Sequence, residues 1–78
     1  MEQLKGLVVR AQRGEVDAYE TIVRRFQDMA IGYAHSVLGD YHLAEDAAQE
    51  AFVQAYLKLG QLTQPMAFLS WLRRIVYV

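Results

Sequence analysis

A histidine and two acids near the middle of the chain have the spacing of a metal site on a helix. His42, Glu45 and Asp46 stand at i, i+3 and i+4, so in a helix they would share one face. A protein metal site needs more ligands, and partners that orient them, whereas His35 lies in another segment and the chain has no cysteine. We therefore predict no metal site and interpret the three residues as a solvated first turn of a helix.

No other combination of residues has the pattern of a catalytic site. Ser36 and Ser70 have no nearby histidine and carboxylate to activate a hydroxyl nucleophile, and the chain has no glycine-rich phosphate loop. Glu45, Asp46 and Glu50 have the residue types of an acid–base pair, but exposed carboxylates on a helix are the common case. The sequence therefore predicts no catalytic residue and no cofactor. We expect a protein that is not an enzyme.

Glycine, aspartate and proline bound the elements that would position these residues. Gly14, Gly39 and Gly60 each follow a helix-like segment, where a left-handed C-cap residue belongs. Asp40 is a good N-cap for the third segment, and Pro65, the only proline, stands where a last helix would begin. No stretch alternates apolar and polar residues as a half-buried strand would. We predict a single all-α domain over residues 1–78, a small bundle of four helices at about 2–13, 15–38, 41–59 and 65–77.

The second and third helices carry most of the predicted core. Apolar residues of the second helix recur at three- and four-residue spacing, which predicts one buried stripe: Val16, Tyr19, Ile22, Val23, Phe26, Met29, Ala30, Tyr33, Val37 and Leu38. Gly32, inside this helix, would allow another helix to approach closely. One side of the third helix is mostly alanine, with the members Ala44, Ala48, Ala51, Phe52, Ala55 and Leu59. We expect the two helices to pack closely through this alanine side.

The opposite side of the third helix has a second, smaller apolar strip. Val53 and Leu57 are one turn apart, and Asp46, Gln49 and Glu50 form a polar rim around them. A small apolar strip inside a polar rim resembles the centre of a protein interface. The alternative is two scattered surface hydrophobic residues, which need no explanation; the pattern favours the interface.

Charge is divided unevenly along the 78 residues. Residues 1–50 hold all nine acids and five bases, a net charge of −4, whereas residues 51–78 hold three bases and no acid, a net charge of +3. This asymmetry suggests two surfaces with different partners, or chance in a short chain. The longest apolar run is only a few residues, and a membrane span needs about 20, so no span is predicted.

Three blocks of sequence match the pattern of one protein family. Residues 11–19, AQRGEVDAY, resemble A-x-x-G-D/E-x-x-A-F/Y; residues 44–56, AEDAAQEAFVQAY, resemble A-E-D-x-x-Q-E-x-F-x-x-x-W/Y; and residues 68–75, FLSWLRRI, resemble F-x-x-W-L-x-R-I. In this order and spacing they are similar to region 2 of bacterial RNA polymerase sigma factors of the extracytoplasmic-function (ECF) group. The resemblance covers nearly the whole chain, and its specificity comes chiefly from the second and third blocks together.

The resemblance implies an all-helical domain that takes part in transcription initiation in the cytoplasm. In this family the third helix binds the clamp helices of the polymerase β′ subunit, so the implied polymerase-binding residues are Asp46, Gln49, Glu50, Val53 and Leu57. The next loop and the fourth helix recognise and open the promoter −10 element on the non-template strand, so the implied DNA-binding residues are Gln61, Thr63, Gln64, Phe68, Trp71, Arg73 and Arg74. An anti-sigma factor is a further expected partner.

Several of these residues also have a simpler structural interpretation. By helical period Phe68 and Leu72 face the core. For Trp71, packing in the core and contact with DNA are equally favoured alternatives. Arg73 and Arg74 lie in the last turns, where cations favour the helix dipole, or where they would contact phosphates. The polar residues of the loop either hydrogen-bond an extruded base or face water.

The end of the chain departs from the family pattern. The family continues after Arg-Ile with alanine, a variable residue and asparagine, and then a basic stretch, whereas this chain reads Val76-Tyr77-Val78. We expect a fragment or truncated product of a sigma factor, without the domain that reads the −35 element. The alternative function is a small helical adaptor or sigma antagonist that binds protein and has no role with DNA.

Overall fold

Four α-helices form the protein in the computed structural model, which describes residues 3–76. They are α1 (Leu4–Gln12), α2 (Val16–Leu38), α3 (Tyr41–Leu57) and α4 (Phe68–Val76), and single turns of 3-10 helix lie at Leu59–Gln61 and Pro65–Ala67. The predicted all-α bundle of four helices is confirmed. The predicted outer ends, residues 2 and 77, and the departure at Val78 lie outside the described residues. α3 ends two residues before its predicted end because the chain tightens into a 3-10 turn, and Pro65 likewise begins a 3-10 turn that leads into α4.

The residues that end and start the helices act largely as predicted. Gly14 and Gly39 have φ of +94° and +72°, the left-handed conformation that glycine adopts without strain, and the Gly39 N–H donates to the His35 carbonyl. The Asp40 side chain caps α3 by accepting a hydrogen bond from the Leu43 N–H at 3.0 Å. The prediction for Gly60 is wrong, because this residue lies inside a 3-10 turn and has no positive φ.

The core lies where α2, α3 and the flanking helices meet. α2 packs most extensively against α3, and the alanine side of α3 is buried, as predicted, through Ala44, Ala48, Ala51 and Ala55. Larger side chains fill the space on either side of this helix pair, and the largest fully buried ones are Phe68, Leu7, Ile22, Leu72 and Val8. The small alanines allow the two backbones to approach, and large buried residues of α1 and α4 pack against this helix pair.

The predicted stripe of α2 is only partly buried. Val16, Met29, Val37 and Leu38 are between 42% and 54% exposed, so the prediction of burial is wrong for these four. α2 has 23 residues whereas α1 and α4 have nine each, so the short helices cannot cover its whole length. Gly32 is also not a point of close approach, because no atom of another element lies within 4 Å of the position that a Cβ would occupy.

Overpacking the alanine side is expected to destabilise the fold. Ala51 is 3% exposed, and a leucine there would force α2 and α3 apart, at a cost of about 1–3 kcal/mol. For a domain of this size that lowers the midpoint of thermal unfolding by about 5 °C or more. Gln49→Leu, at an exposed position of the same helix, is the control and should melt near the parent. An unchanged midpoint for Ala51→Leu would contradict the packing.

Tyr19 joins α2 to α3 through a buried hydrogen bond. Its hydroxyl donates to the backbone carbonyl of Phe52, and its ring centroid lies 4.9 Å from that of Tyr56. Burial, and to a smaller extent the neighbouring Tyr56, raise the pKa of the Tyr19 hydroxyl well above its ordinary value, because the ionised form would lose its contact with water and its role as a donor. The hydroxyl therefore keeps its proton in the folded protein.

Because of the raised pKa of Tyr19, we expect the fold to become less stable at alkaline pH. Near neutral pH the hydroxyl is protonated in both states and contributes no pH dependence. Above the unfolded-state pKa of about 10, the unfolded chain loses this proton and the folded chain retains it, so the free energy of unfolding falls by up to about 1.4 kcal/mol per pH unit. Urea unfolding should show a shallower alkaline loss for Tyr19→Phe than for the parent, whereas Tyr41→Phe, at an exposed position, should behave as the parent. Equal alkaline slopes for parent and Tyr19→Phe would refute this role.

Candidate functional site

The first candidate surface is the outer side of α3, which we call the α3 face and define as Asp46, Gln49, Glu50, Val53 and Leu57. All five residues are exposed, and Val53 and Leu57 expose 52% and 71% of their surface. The Gln54 amide donates to the Glu50 carboxylate at 3.0 Å, which holds that acid along the helix. The apolar pair therefore stands in solvent within a polar rim, as the spacing predicted.

The α3 face is part of a longer series of exposed residues on α3, which the sequence analysis did not predict. Leu43 is 55% exposed, and it begins a series with alternating spacing of three and four residues: Leu43, Asp46, Glu50, Val53 and Leu57. Such spacing places residues along one narrow seam of a helix, and this is how helices in coiled coils meet a partner helix. The signal for Leu43 in the sequence is its position three residues before Asp46, which continues the series towards the start of α3.

A groove beside the α3 face extends it towards α2. This groove has a volume of about 560 Å³, and among the residues that line it are Val23, Gln27 and Ile31 of α2 and Gln49 and Val53 of α3. Like the α3 face, the groove combines apolar side chains with amide groups. The surface available to a partner on this side therefore includes both helices.

The second candidate surface begins in the segment between α3 and α4. Leu59 and Leu62 are buried, 4% and 8% exposed, because a 3-10 turn places residues three apart on the same side. Gln61, Thr63 and Gln64 are exposed instead. We call residues 58–64 the recognition loop: its leucines anchor it to the core, and its polar side chains face solvent.

Phe68 does not belong to the exposed surface. Phe68 and Leu72 are both 0% exposed, so their predicted packing in the core is confirmed, and the implied contact of Phe68 with DNA has no accessible surface to support it. The helical period explains this, since the two residues are one turn apart on the inner side of α4. Trp71 is half-buried, with its ring centroid 6.1 Å from that of Phe68. Part of the indole remains available to a partner.

The outer side of α4 is basic and faces a cleft shared with α2. Arg73 and Arg74 are exposed, and with Tyr33 and Ser70 they line an open cleft of about 470 Å³. The guanidinium carbon of Arg73 lies 5.1 Å from the centroid of the Tyr33 ring, within the range of a cation–π interaction. Sequence reasoning placed Tyr33 in the core stripe and missed this contact.

The histidine and the two acids that were considered for a metal site lie on α3. His42 Nδ1 lies 3.9 Å from Glu45 Oε1 on the surface of α3, and Asp46 belongs to the α3 face. Among residues 3–76, no group of three or more histidines and acids is arranged to hold an ion. Within the same residues, no helix combines the length and the apolar character that crossing a bilayer requires.

Comparison with known proteins identifies the family of this chain. Residues 22–77 match the Sigma-70 region 2 family. The chain is 40% identical over 74 residues to RNA polymerase sigma-H factor of Pseudomonas aeruginosa, covering 95% of this chain and 38% of that protein. It is 35% identical over 72 residues to the ECF RNA polymerase sigma factor SigW of Bacillus subtilis, covering 92% of this chain and 38% of that protein.

A third relative supports the same group. The ECF RNA polymerase sigma-E factor of Haemophilus influenzae is 33% identical over 76 residues, which cover 95% of this chain and 40% of that protein. The chain therefore spans well under half the length of these curated relatives. Because the family match covers more than half of the chain and these relatives are sigma factors of the ECF group, the chain belongs to the Sigma-70 region 2 family and corresponds to region 2 of an ECF sigma factor.

Proposed function

We propose that this chain joins RNA polymerase core to the promoter −10 element, with the α3 face on the β′ clamp helices and the recognition loop and α4 on the non-template strand. The observation that carries the proposal is the exposed seam on α3, which the fold does not use for its own core. Membership of the Sigma-70 region 2 family supports the same assignment. The two surfaces lie on different elements, and the proposal requires that both partners be bound at once.

The chemistry of the α3 face suits a helical partner with basic residues. Val53 and Leu57 have coiled-coil spacing and can bury against a helix pair, and Asp46 and Glu50, on the same seam of α3, attract positive charge. The groove lined by Val23 and Ile31 offers room for apolar side chains from the second helix of such a pair. The β′ clamp helices, the partner that the family resemblance implies, are a coiled coil and so provide such a helix pair.

The chemistry of the recognition loop and α4 suits single-stranded DNA. The exposed amides and hydroxyl of Gln61, Thr63 and Gln64 can donate and accept hydrogen bonds at the edge of an extruded base. Arg73 and Arg74 supply positive charge for phosphates, and the exposed part of Trp71 can stack on a base. No acid lies in residues 51–78 to repel the strand.

Selection from a random DNA pool tests the proposal. The chain is assembled with polymerase core and presented with single-stranded oligonucleotides of random sequence, and retained DNA is sequenced. We expect a short motif to be enriched only when chain and core are both present. Binding of the chain to core without an enriched motif would refute the role with DNA and favour the adaptor or sigma antagonist.

A further inference from the structure

The side chain of Gln12, at the end of α1, holds the recognition loop from behind. Its Nε2 donates to the Leu59 carbonyl at 3.1 Å and to the Leu62 carbonyl at 2.8 Å. These contacts join residues 47 and 50 positions apart in sequence, and both are partly buried. They connect an element that has no proposed contact with DNA to the loop that carries the proposed base-reading side chains.

The geometry uses the two hydrogens of a glutamine amide. A side-chain NH₂ group can donate two hydrogen bonds at once, and here each goes to a different carbonyl. The Leu59 carbonyl also accepts the Leu62 N–H at 3.1 Å, so Gln12 supports the 3-10 turn that the loop makes by itself. A carboxylate at position 12 would offer no donor and would place negative charge against two carbonyl oxygens.

The two anchored carbonyls lie on either side of Gln61 in the sequence. The Leu59 and Leu62 side chains are buried, and their carbonyls accept hydrogen bonds from Gln12. The backbone is therefore held at one residue before Gln61 and at one residue after it, which sets the direction in which the Gln61 side chain leaves the backbone. Thr63 follows the second anchored residue directly, so its position is held from one side.

We infer that Gln12 is a positioning residue for base recognition: it touches no DNA itself but fixes the recognition loop so that Gln61 and Thr63 present their polar groups in one arrangement. This inference rests on the proposed function. It predicts that loss of the Gln12 amide relaxes the choice among bases, because the loop can then adopt several arrangements. Binding to polymerase through the α3 face should be unaffected.

The test compares Gln12→Glu and Gln12→Leu with the parent in complex with polymerase core. The readout is the ratio of affinities for the oligonucleotide selected by the parent and for versions with one base replaced, and thermal melts confirm that each variant is folded. We expect this ratio to fall about tenfold at the base or bases read by the loop, the effect of losing hydrogen bonds of ordinary strength. Amide exchange in residues 59–64 should also quicken, and exchange in the middle of α3 should not.

Gln3→Glu is the matched control, because it makes the same chemical change at the N-cap residue of the same helix, whose side chain makes no capping hydrogen bond. It should keep the parent's base preference. If folded Gln12 variants bind core and discriminate bases as the parent does, the inference is wrong while the proposed function stands. If both Gln12 variants fail to fold, Gln12 supports the whole fold, which also refutes a role specific to the loop. A parent that binds core but shows no base preference would overturn both.

Discussion

Val53→Lys is expected to weaken binding of the chain to polymerase core by about 100-fold or more while leaving the midpoint of thermal unfolding nearly unchanged. In the free domain Val53 is 52% exposed, so a lysine there can keep its ammonium group in water. At the centre of an interface the same ammonium would lose its water without gaining a partner, which costs several kcal/mol. A 100-fold change corresponds to about 2.7 kcal/mol, within that range.

Val37→Lys is the matched control for this measurement. Val37 is 50% exposed and lies in the last turn of α2, outside the α3 face. It therefore receives the same side chain at nearly the same exposure, and it should bind core as the parent does. Equal binding by Val53→Lys and Val37→Lys would remove the α3 face from the polymerase interface, and a large drop in melting midpoint for Val53→Lys would show instead that Val53 supports the fold.

Replacing Arg73 and Arg74 together by alanine is expected to weaken binding of single-stranded DNA of every sequence. Each arginine that neutralises a phosphate releases a counterion, so the slope of log affinity against log salt should decrease by about 0.7 per lost contact on a single strand. The double variant should thus lose about 1.4 from the slope. The measurement is a salt titration of oligonucleotide binding in complex with polymerase core.

A second pair of arginines separates local contacts from the effect of overall charge. Arg13 and Arg24 are also exposed, and Arg13→Ala with Arg24→Ala changes the net charge by the same amount. This control should keep the parent's slope. If the Arg73 and Arg74 double variant also keeps the slope, the two arginines do not contact the strand. They then act within the protein, as cations near the C-terminal end of α4 and, for Arg73, against the Tyr33 ring.

Local sequence signals predicted the helices because each signal acts within a few residues. The Asp40 cap forms its bond to Leu43, three residues away, and the left-handed glycines at 14 and 39 end their helices without help from distant residues. The alanine side of α3 was equally readable, since burial of one helix side follows its period. The α3 face appeared in the sequence for the same reason.

Features that depend on distant parts of the chain were not predictable from those signals. Exposure of Val37 and Leu38 follows from the short length of the helices that pack on α2, and periodicity carries no information about a neighbour's length. The hydrogen bonds from Gln12 to the recognition loop join residues that are 47 and 50 positions apart in the sequence. For Phe68 the family pattern and the helical period gave opposite predictions, and the observed burial agrees with the period.

Photo-crosslinking from two positions tests the central claim, that two separate surfaces bind polymerase and DNA at the same time. A photoreactive residue is placed at Leu57, on the α3 face, or at Gln64, in the recognition loop; both side chains are exposed. In a complex with core polymerase and promoter DNA, we predict that Leu57 crosslinks to the β′ clamp helices and Gln64 to the non-template strand of the −10 element. Crosslinks from Leu57 to DNA, or from neither position to its predicted partner in a complex that does form, would contradict the account.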